Sequence, residues 1–383
     1  MACTRRSLPF SMPPRHLYVH VPFCARRCSY CDFSIAVRRT VPAAAYVDAV
    51  ARELDVRFGA DAAWEVDTLY LGGGTPSHLG GWGVAELMRV LRQHVTLAPR
   101  VEVTLEANPD DITPDHAASW RVAGITRLSI GAQSFDDGAL AWMHRTHDAA
   151  RIAVAVRDAR NAGFTDLSLD LIFALPEALR RDWHRDLTLA LALQPTHLSL
   201  YGLTIEHGTA LARWRDRGLA TEAPDERYEQ EFLLAHELAV ASGFEHYEVS
   251  NFGRPGFRAR HNSAYWHQVP YAGVGPAAHG YDGTCRRWNA AAYEEWRRAV
   301  ALSRDPVAGT EVLTAEQHAA ERVYLGLRTI DGLQMGSGGT EQVQRWLAAG
   351  WGTLENGRLR LSPLGWLRLD ALAGSLTMAG SHY

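Results

Sequence analysis

Lysine is absent from this 383-residue chain, and all 39 of its basic residues are arginine. That excludes a Schiff-base lysine and the lysine of a phosphate-binding P-loop, because both need an ammonium on a flexible stem. Cysteine is scarce, with five residues unevenly spread, so a disulfide scaffold is excluded as well. No stretch approaches about 18 uninterrupted apolar residues, and the opening MACTRRSLPFSMPPRH lacks the apolar centre of a secretory signal. The expectation is a cytoplasmic protein. A net charge of -4 creates no overall field for nucleic acid or anionic lipid. What is present is ordinary globular composition, 47% hydrophobic and 21% charged, on a chain long enough for two or three domains.

Short β-rich runs alternate with amphipathic segments of helical length. The strands are expected at 17–23, 66–72, 101–107, 127–134, 166–175 and 197–204. The helices that follow them are expected at 43–58, 83–95, 114–123, 148–162, 182–193 and 225–242. Such α/β repetition makes a parallel sheet covered by helices, either an open doubly wound sheet or a curved, partly closed (β/α)6 barrel. In both, ligands bind at the C-terminal strand ends. Polar groups gather there: three cysteines after the first strand, GGGTPS (72–77) after the second, EANP (106–109) after the third, GAQSF (131–135) at the fourth. Asp170 and Tyr201 fall in the fifth and sixth.

The first strand runs into YVHVPFCARRCSYCDF, with Cys24, Cys28 and Cys31 spaced C-x3-C-x2-C. Three thiolates on a short loop suit three corners of a cubane iron-sulfur cluster, leaving one iron open to another ligand. The alternative is zinc, which would need a fourth protein ligand, and His20 is the nearest candidate. Cys3 and Cys285 stand apart and read as a tail thiol and a packing residue. The glycine run lets backbone approach a ligand closely, or simply makes a tight turn between strand and helix.

CARRCSYC resembles the signature of the radical S-adenosylmethionine superfamily, C-x3-C-x-aromatic-C. The resemblance implies that Cys24, Cys28 and Cys31 hold a [4Fe-4S] cluster and that the methionine moiety of S-adenosylmethionine chelates its open iron. Electron transfer would then cleave the sulfonium. Tyr30 would lie by the adenine, and Gly73, Gly74 and Thr75 by the methionine amino group. Tyr18, Glu106, Gln133, Arg145 and Asp170 match cofactor-contacting positions of the HemN/HemW branch, although Arg145 also reads as a helix-surface residue and Asp170 as a capping one. The decarboxylating members of that branch carry a fourth cysteine and a long N-terminal extension. Here Phe33 takes that cysteine's place and 17 residues precede Tyr18. The CDF ending is similar to the haem-chaperone group, which hands haem to respiratory proteins.

RHNSAYWHQVPYAGVGPAAHGY (260–281) contains HNxxYW, a pattern that group is proposed to use for haem. His261 is the candidate iron ligand, with Tyr265 and Trp266 as flat faces and Arg254, Arg258, Arg260, Arg286 and Arg287 as partners for propionates. The other role open to His261 is that of a hydrogen-bonded structural residue. Helical patterns at 289–302, 313–328 and 340–349, a hairpin at 352–363 turning on Asn356-Gly357, and a helix at 364–375 suggest a winged-helix-like unit without a basic recognition helix. The expected division is a tail over 1–15, a core barrel over 16–245, a connecting segment over 246–300 and the C-terminal unit over 301–383. The expected partners are haem, haem-accepting respiratory proteins at the cytoplasmic membrane face and a second copy of the chain, with no nucleic acid. The expected function is a haem chaperone, and the alternative is an oxidoreductase acting on a porphyrinogen.

Overall fold

The computed structural model describes residues 14–59, 64–335 and 341–378; Cys3 and most of the expected tail lie outside these residues. Six parallel strands, His16–Val21, Trp64–Gly73, Val95–Ala107, Arg127–Gln133, Asp166–Phe173 and His197–Gly202, pair in the order in which they occur along the chain. A doubly wound sheet would reverse that order at a switch point, so the observed order leaves the singly wound, curved arrangement. The sheet stays open, since its outermost strands, Ala272–Val274 and Glu245–Glu248, lie at opposite ends of the order.

Each helix returns the chain across the outer face. On Ala43–Phe58 the residues Tyr46, Val47, Val50 and Leu54 are buried, a helical spacing that presents one apolar stripe to the sheet. Helix starts are marked by side chains that take up orphan amides. Thr113, Asp136, Asp148 and Asp182 accept from His116 N, Ala139 N, Arg151 N and Arg185 N. These caps follow the strand ends closely, which keeps the connections short and holds their polar residues at one mouth.

Residues 246–300, expected to be a connecting segment, contribute short strands to the edges of the sheet and, at His279–Tyr281 and Cys285–Asn289, two strands of a separate three-stranded sheet. Asn251–Gly253 pairs with the sixth strand, Ala272–Val274 with the first, and Arg260–Trp266 is a helix between them. Strands of three residues bounded by glycine and proline carry too little alternation to be recognised from periodicity. A buried network fastens this return. Glu53, fully buried on the first helix, accepts from Arg57 Nη1 (2.7 Å), Asn289 Nδ2 (2.7 Å), Gly275 N (2.8 Å) and Trp296 Nε1 (2.7 Å).

The C-terminal part contains helices Ala315–Arg328 and Glu341–Ala348, a sheet of Leu333–Gln334, Gly352–Glu355 and Arg358–Leu361, and helices Pro363–Trp366 and Leu369–Met378. Asn356 and Gly357 both have positive φ (52° and 74°), the conformation of a tight hairpin turn. This part shares one continuous hydrophobic core with the barrel. The Arg328–Glu248 ion pair (2.9 Å) and the contact of Trp366 with His246 (4.5 Å between rings) join the two. Among the described residues, no helix is long and apolar enough to cross a membrane.

Candidate functional site

A cavity of about 610 Å³ opens at the C-terminal strand ends and runs into the barrel. Its wall takes Cys24, Cys28 and Cys31 from the first loop, Glu106 and Gln133 from the third and fourth strands, Asp170 from the fifth and Tyr201 from the sixth. Residues from one face of so many strands meet around one space only if the sheet curves about it.

The three thiols are free. Cys24 ends the two-residue strand Phe23–Cys24, which pairs in parallel with Ala36–Val37 and so ties both arms of the loop together. Thr75 Oγ1 donates to Cys24 Sγ (3.3 Å) and Arg145 Nη1 to Cys28 Sγ (3.4 Å). Burial pushes the Cys24 thiol up to about 11 and raises Cys31 too. A cationic iron centre offsets that cost, because a ligating thiol is deprotonated outright. The donor set therefore fits an iron-sulfur cluster. The zinc alternative fails at its fourth ligand. Both ring nitrogens of His20 are engaged, Nδ1 with Tyr18 Oη (3.1 Å) and Nε2 with Ser34 O (3.0 Å). Among the described residues, no three His, Cys, Asp or Glu side chains converge on a single metal ion.

The glycine run is packed against the cysteine strand. A Cβ on Gly73, whose φ is +113°, would meet the His20 ring at 2.7 Å, and one on Gly74 would meet the Pro22 carbonyl carbon and oxygen at 2.7 Å. Gly74 N donates to Val21 O (2.7 Å) and Thr75 N to Phe23 O (2.8 Å), so this turn sets the position of Cys24 while its other side lines the cavity.

Glu106 accepts from Tyr70 Oη (2.8 Å) and Gly73 N (3.1 Å); burial pushes its carboxyl up to about 7. Gln133 follows a break in strand register and has φ +67°, which turns it into the cavity mouth. Arg145 is no helix-surface residue. It is partly buried, reaches Cys28, and donates through Nη2 to Gly131 O (2.8 Å) and Asn108 Oδ1. Asp170 is no cap. It stands inside the strand Asp166–Phe173 and accepts from Ser129 Oγ (2.9 Å) and Ser168 Oγ (3.1 Å), with burial raising its pKa. Tyr30 lines the cavity and packs beside Trp142 and Leu203. Tyr18 is not on the wall; it stacks against Tyr70, with ring centroids 6.0 Å apart.

His261 corrects the expectation of an accessible haem ligand. It is 1% exposed, and its Nδ1 pairs with Thr68 Oγ1 (2.7 Å) and its Nε2 with Tyr265 Oη (2.8 Å). Its ring also stacks on Tyr70 at 5.1 Å. Burial pulls its pKa down to about 3, so the ring is neutral, yet neither nitrogen is free for iron in this arrangement. The helix that carries it is held at its start by Glu102, whose two oxygens accept from Arg260 N (2.8 Å) and His261 N (2.9 Å). Trp266 lies under the Arg328 guanidinium at 4.3 Å. The arginines expected to meet propionates already have partners: Arg258 with Glu245 (2.7 Å), Arg286 with Glu321 (2.7 Å) and Arg287 with Asp305 (2.6 Å). Arg254 donates to the carbonyls of Pro195 and Ser242, and Arg260 to that of Arg100.

Asn108, from the EANP stretch, lines the cavity as well; Tyr70, Arg127, Ser129, Ser199 and Asn262 also line it and were not foreseen. A signal for two of them was present in RLSIGAQ. Arg127, Ser129, Gly131 and Gln133 alternate with Leu128, Ile130 and Ala132, so one face of a largely buried strand is polar.

A curved sheet of six sequential strand-helix units with a cysteine triplet at its mouth defines the radical SAM superfamily, whose family model matches residues 18–190. The solved structure of the Escherichia coli coproporphyrinogen III oxidase HemN has the same fold. The TM-score is 0.79 at 20% identity, covering 98% of this chain and 92% of that one. A protein named heme chaperone HemW from Mycobacterium tuberculosis is 39% identical over 374 residues, 96% of each chain. The HemW of Synechocystis is 36% identical over 329 residues, 84% of this chain and 79% of that one. The chain belongs to the HemW family.

Proposed function

We propose that this protein is a haem chaperone that binds haem and delivers it to haem-requiring proteins. In this reading it carries a [4Fe-4S] cluster on Cys24, Cys28 and Cys31 and takes S-adenosylmethionine into the adjoining cavity. The observation that carries the reading is the likeness along 96% of the chain to a protein named as a haem chaperone. The cavity supports its cofactor part, since three thiols, a glycine turn and buried polar side chains meet at one mouth. When bound, the cluster supplies a low-potential electron and an iron open to an exogenous ligand.

The chain's own residues then have distinct tasks. Thr75 donates to the Cys24 sulfur and lowers the cost of thiolate there, and Arg145 donates to the Cys28 sulfur and holds it in place. Glu106, near neutrality at about 7, accepts from a hydroxyl and an amide and can take a further proton-bearing group such as an amine. Asp170, Gln133 and Tyr30 present an acceptor, an amide and a flat ring to a cofactor with a ribose diol and a base. At the position where the decarboxylase pattern has another thiol, Phe33 is 61% exposed at the cavity wall, and its ring supplies no metal ligand. His261 has a bracing role in the floor, so the haem site is sought elsewhere on the chain.

Anaerobic reconstitution followed by two parallel assays tests the proposal. Haem titration with transfer to an apo-haemoprotein acceptor should be positive. Coproporphyrinogen turnover with reductant and S-adenosylmethionine should be negative, and turnover without haem transfer would overturn the reading.

A further inference from the structure

The end of the cavity away from the cysteines holds a cation without a matched partner. Arg127 is 2% exposed, lines the cavity, and has its Nε buried with no hydrogen bond. Its nearest carboxylate oxygen, Asp166 Oδ1, is 3.8 Å away, too far for a hydrogen bond. The surrounding acids are satisfied by other donors. Asp166 accepts from Thr196 Oγ1 (2.9 Å), Glu106 from Tyr70 and Gly73, Asp170 from Ser129 and Ser168, and Glu102 from two backbone amides. They balance the guanidinium's charge at a distance and leave its Nε without a hydrogen bond.

A second donor reaches the same space. Asn262 lines the cavity from the helix Arg260–Trp266, which Glu102 and the bonds of His261 to Thr68 and Tyr265 hold under the barrel. Its side chain is partly exposed to that space. Buried polar groups are ordinarily satisfied, and the unsatisfied Arg127 Nε calls for an explanation such as an absent ligand. A planar guanidinium and an amide that line one cavity can together meet two oxygens on one carbon.

We propose that the cavity floor is a carboxylate subsite, built by Arg127 and Asn262, for an organic acid that enters the barrel past the cysteine loop. The inference rests on the cavity being a ligand site, and holds whether or not haem is the ligand. The subsite selects substrates or cargo that carry a carboxylate on a short apolar arm.

Saturation-transfer NMR on the full chain, with propionate as probe and propionamide as its neutral isostere, tests this. Propionate should show transfer and propionamide about tenfold less. The Arg127→Gln variant should lose the propionate signal, Arg127→Lys should keep part of it, and Asn262→Ala should weaken it. Added S-adenosylmethionine should leave the signal in place. Absence of a propionate signal, equal signals for acid and amide, or loss on adding S-adenosylmethionine would each overturn the subsite; the last would assign the acid position to the cofactor. If circular dichroism shows Arg127→Gln unfolded, unchanged propionate signals in both Arg127→Lys and Asn262→Ala overturn it equally. Titration with haem and haem dimethyl ester separates this from the chaperone reading. Propionate binding without haem binding leaves the subsite and removes the chaperone. Equal binding of haem and diester without a propionate signal does the reverse.

Discussion

Replacing Glu53 by alanine should detach the segment that closes the barrel's first edge. The carboxylate is fully buried and is the shared acceptor for Arg57, Asn289, Gly275 and Trp296. The guanidinium of Arg57 is itself 3% exposed and also donates to Gly273 O, so it cannot swing to water. Breaking a buried ion pair from one side costs about 3–5 kcal/mol, because the remaining charge is left uncompensated. The amide and indole donors add unsatisfied groups, although water entering the vacated space offsets part of that. Taking about 3–5 kcal/mol with about 2 °C per kcal/mol for a large chain, the apparent Tm should fall by roughly 6–10 °C. Proteolysis should speed up first within residues 272–296, whose contact with the helix Ala43–Phe58 the carboxylate makes. Removing both charges, as Glu53→Met with Arg57→Leu, should cost less than Glu53→Ala alone. A Glu53→Ala protein within about 1 kcal/mol of the parent in urea melts would refute the reasoning.

Three further outcomes follow from the site. Glu106 has its folded pKa raised from 4.5 to about 7, so the fold holds its proton after the unfolded chain has released it. Its share of stability is present below about pH 4.5 and declines as pH rises to about 7, by roughly 3 kcal/mol. Urea melts at pH 5 and pH 8 should show Glu106→Gln losing that share of the difference, and an undiminished difference would contradict it. Gly74→Ala should cost about 1–3 kcal/mol and lower iron and sulfide content after reconstitution, because the new Cβ meets backbone at Pro22 that cannot swing away; parental cluster loading would be evidence against the packing account. His261→Ala should lose about 1–3 kcal/mol through its bonds to Thr68 and Tyr265. The folded fraction should titrate with haem as the parent does, and loss of haem binding with an intact near-UV spectrum would restore His261 as the iron ligand.

The alternation of strand and helix was legible in the sequence because each element is long enough to repeat its own period. The helices Ala43–Phe58 and Pro114–Ala123 lie where that periodicity puts them, and the cysteine spacing was visible for the same reason of locality. Three things depended on contacts far apart in the chain. One is the return of residues 246–300 into the sheet, in strands of three residues whose pairing rests on neighbours and on Glu53. Another is the aim of Arg145, which by sequence had the look of a surface residue and by packing reaches a cysteine 117 positions away.

The third is His261. An imidazole beside tyrosine and tryptophan is the same string of letters whether it meets solvent, a porphyrin or a threonine. The sequence determined the alternation of strand and helix and which residue types stand at the strand ends, both properties of short range, while the order of the strands came from their pairing. Tertiary structure decided which of those groups are already satisfied by the protein and which, like Arg127, are left facing the cavity. Satisfaction is a property of distances between remote residues, Thr68 to His261 or Asp166 to Arg127, and no local pattern records it.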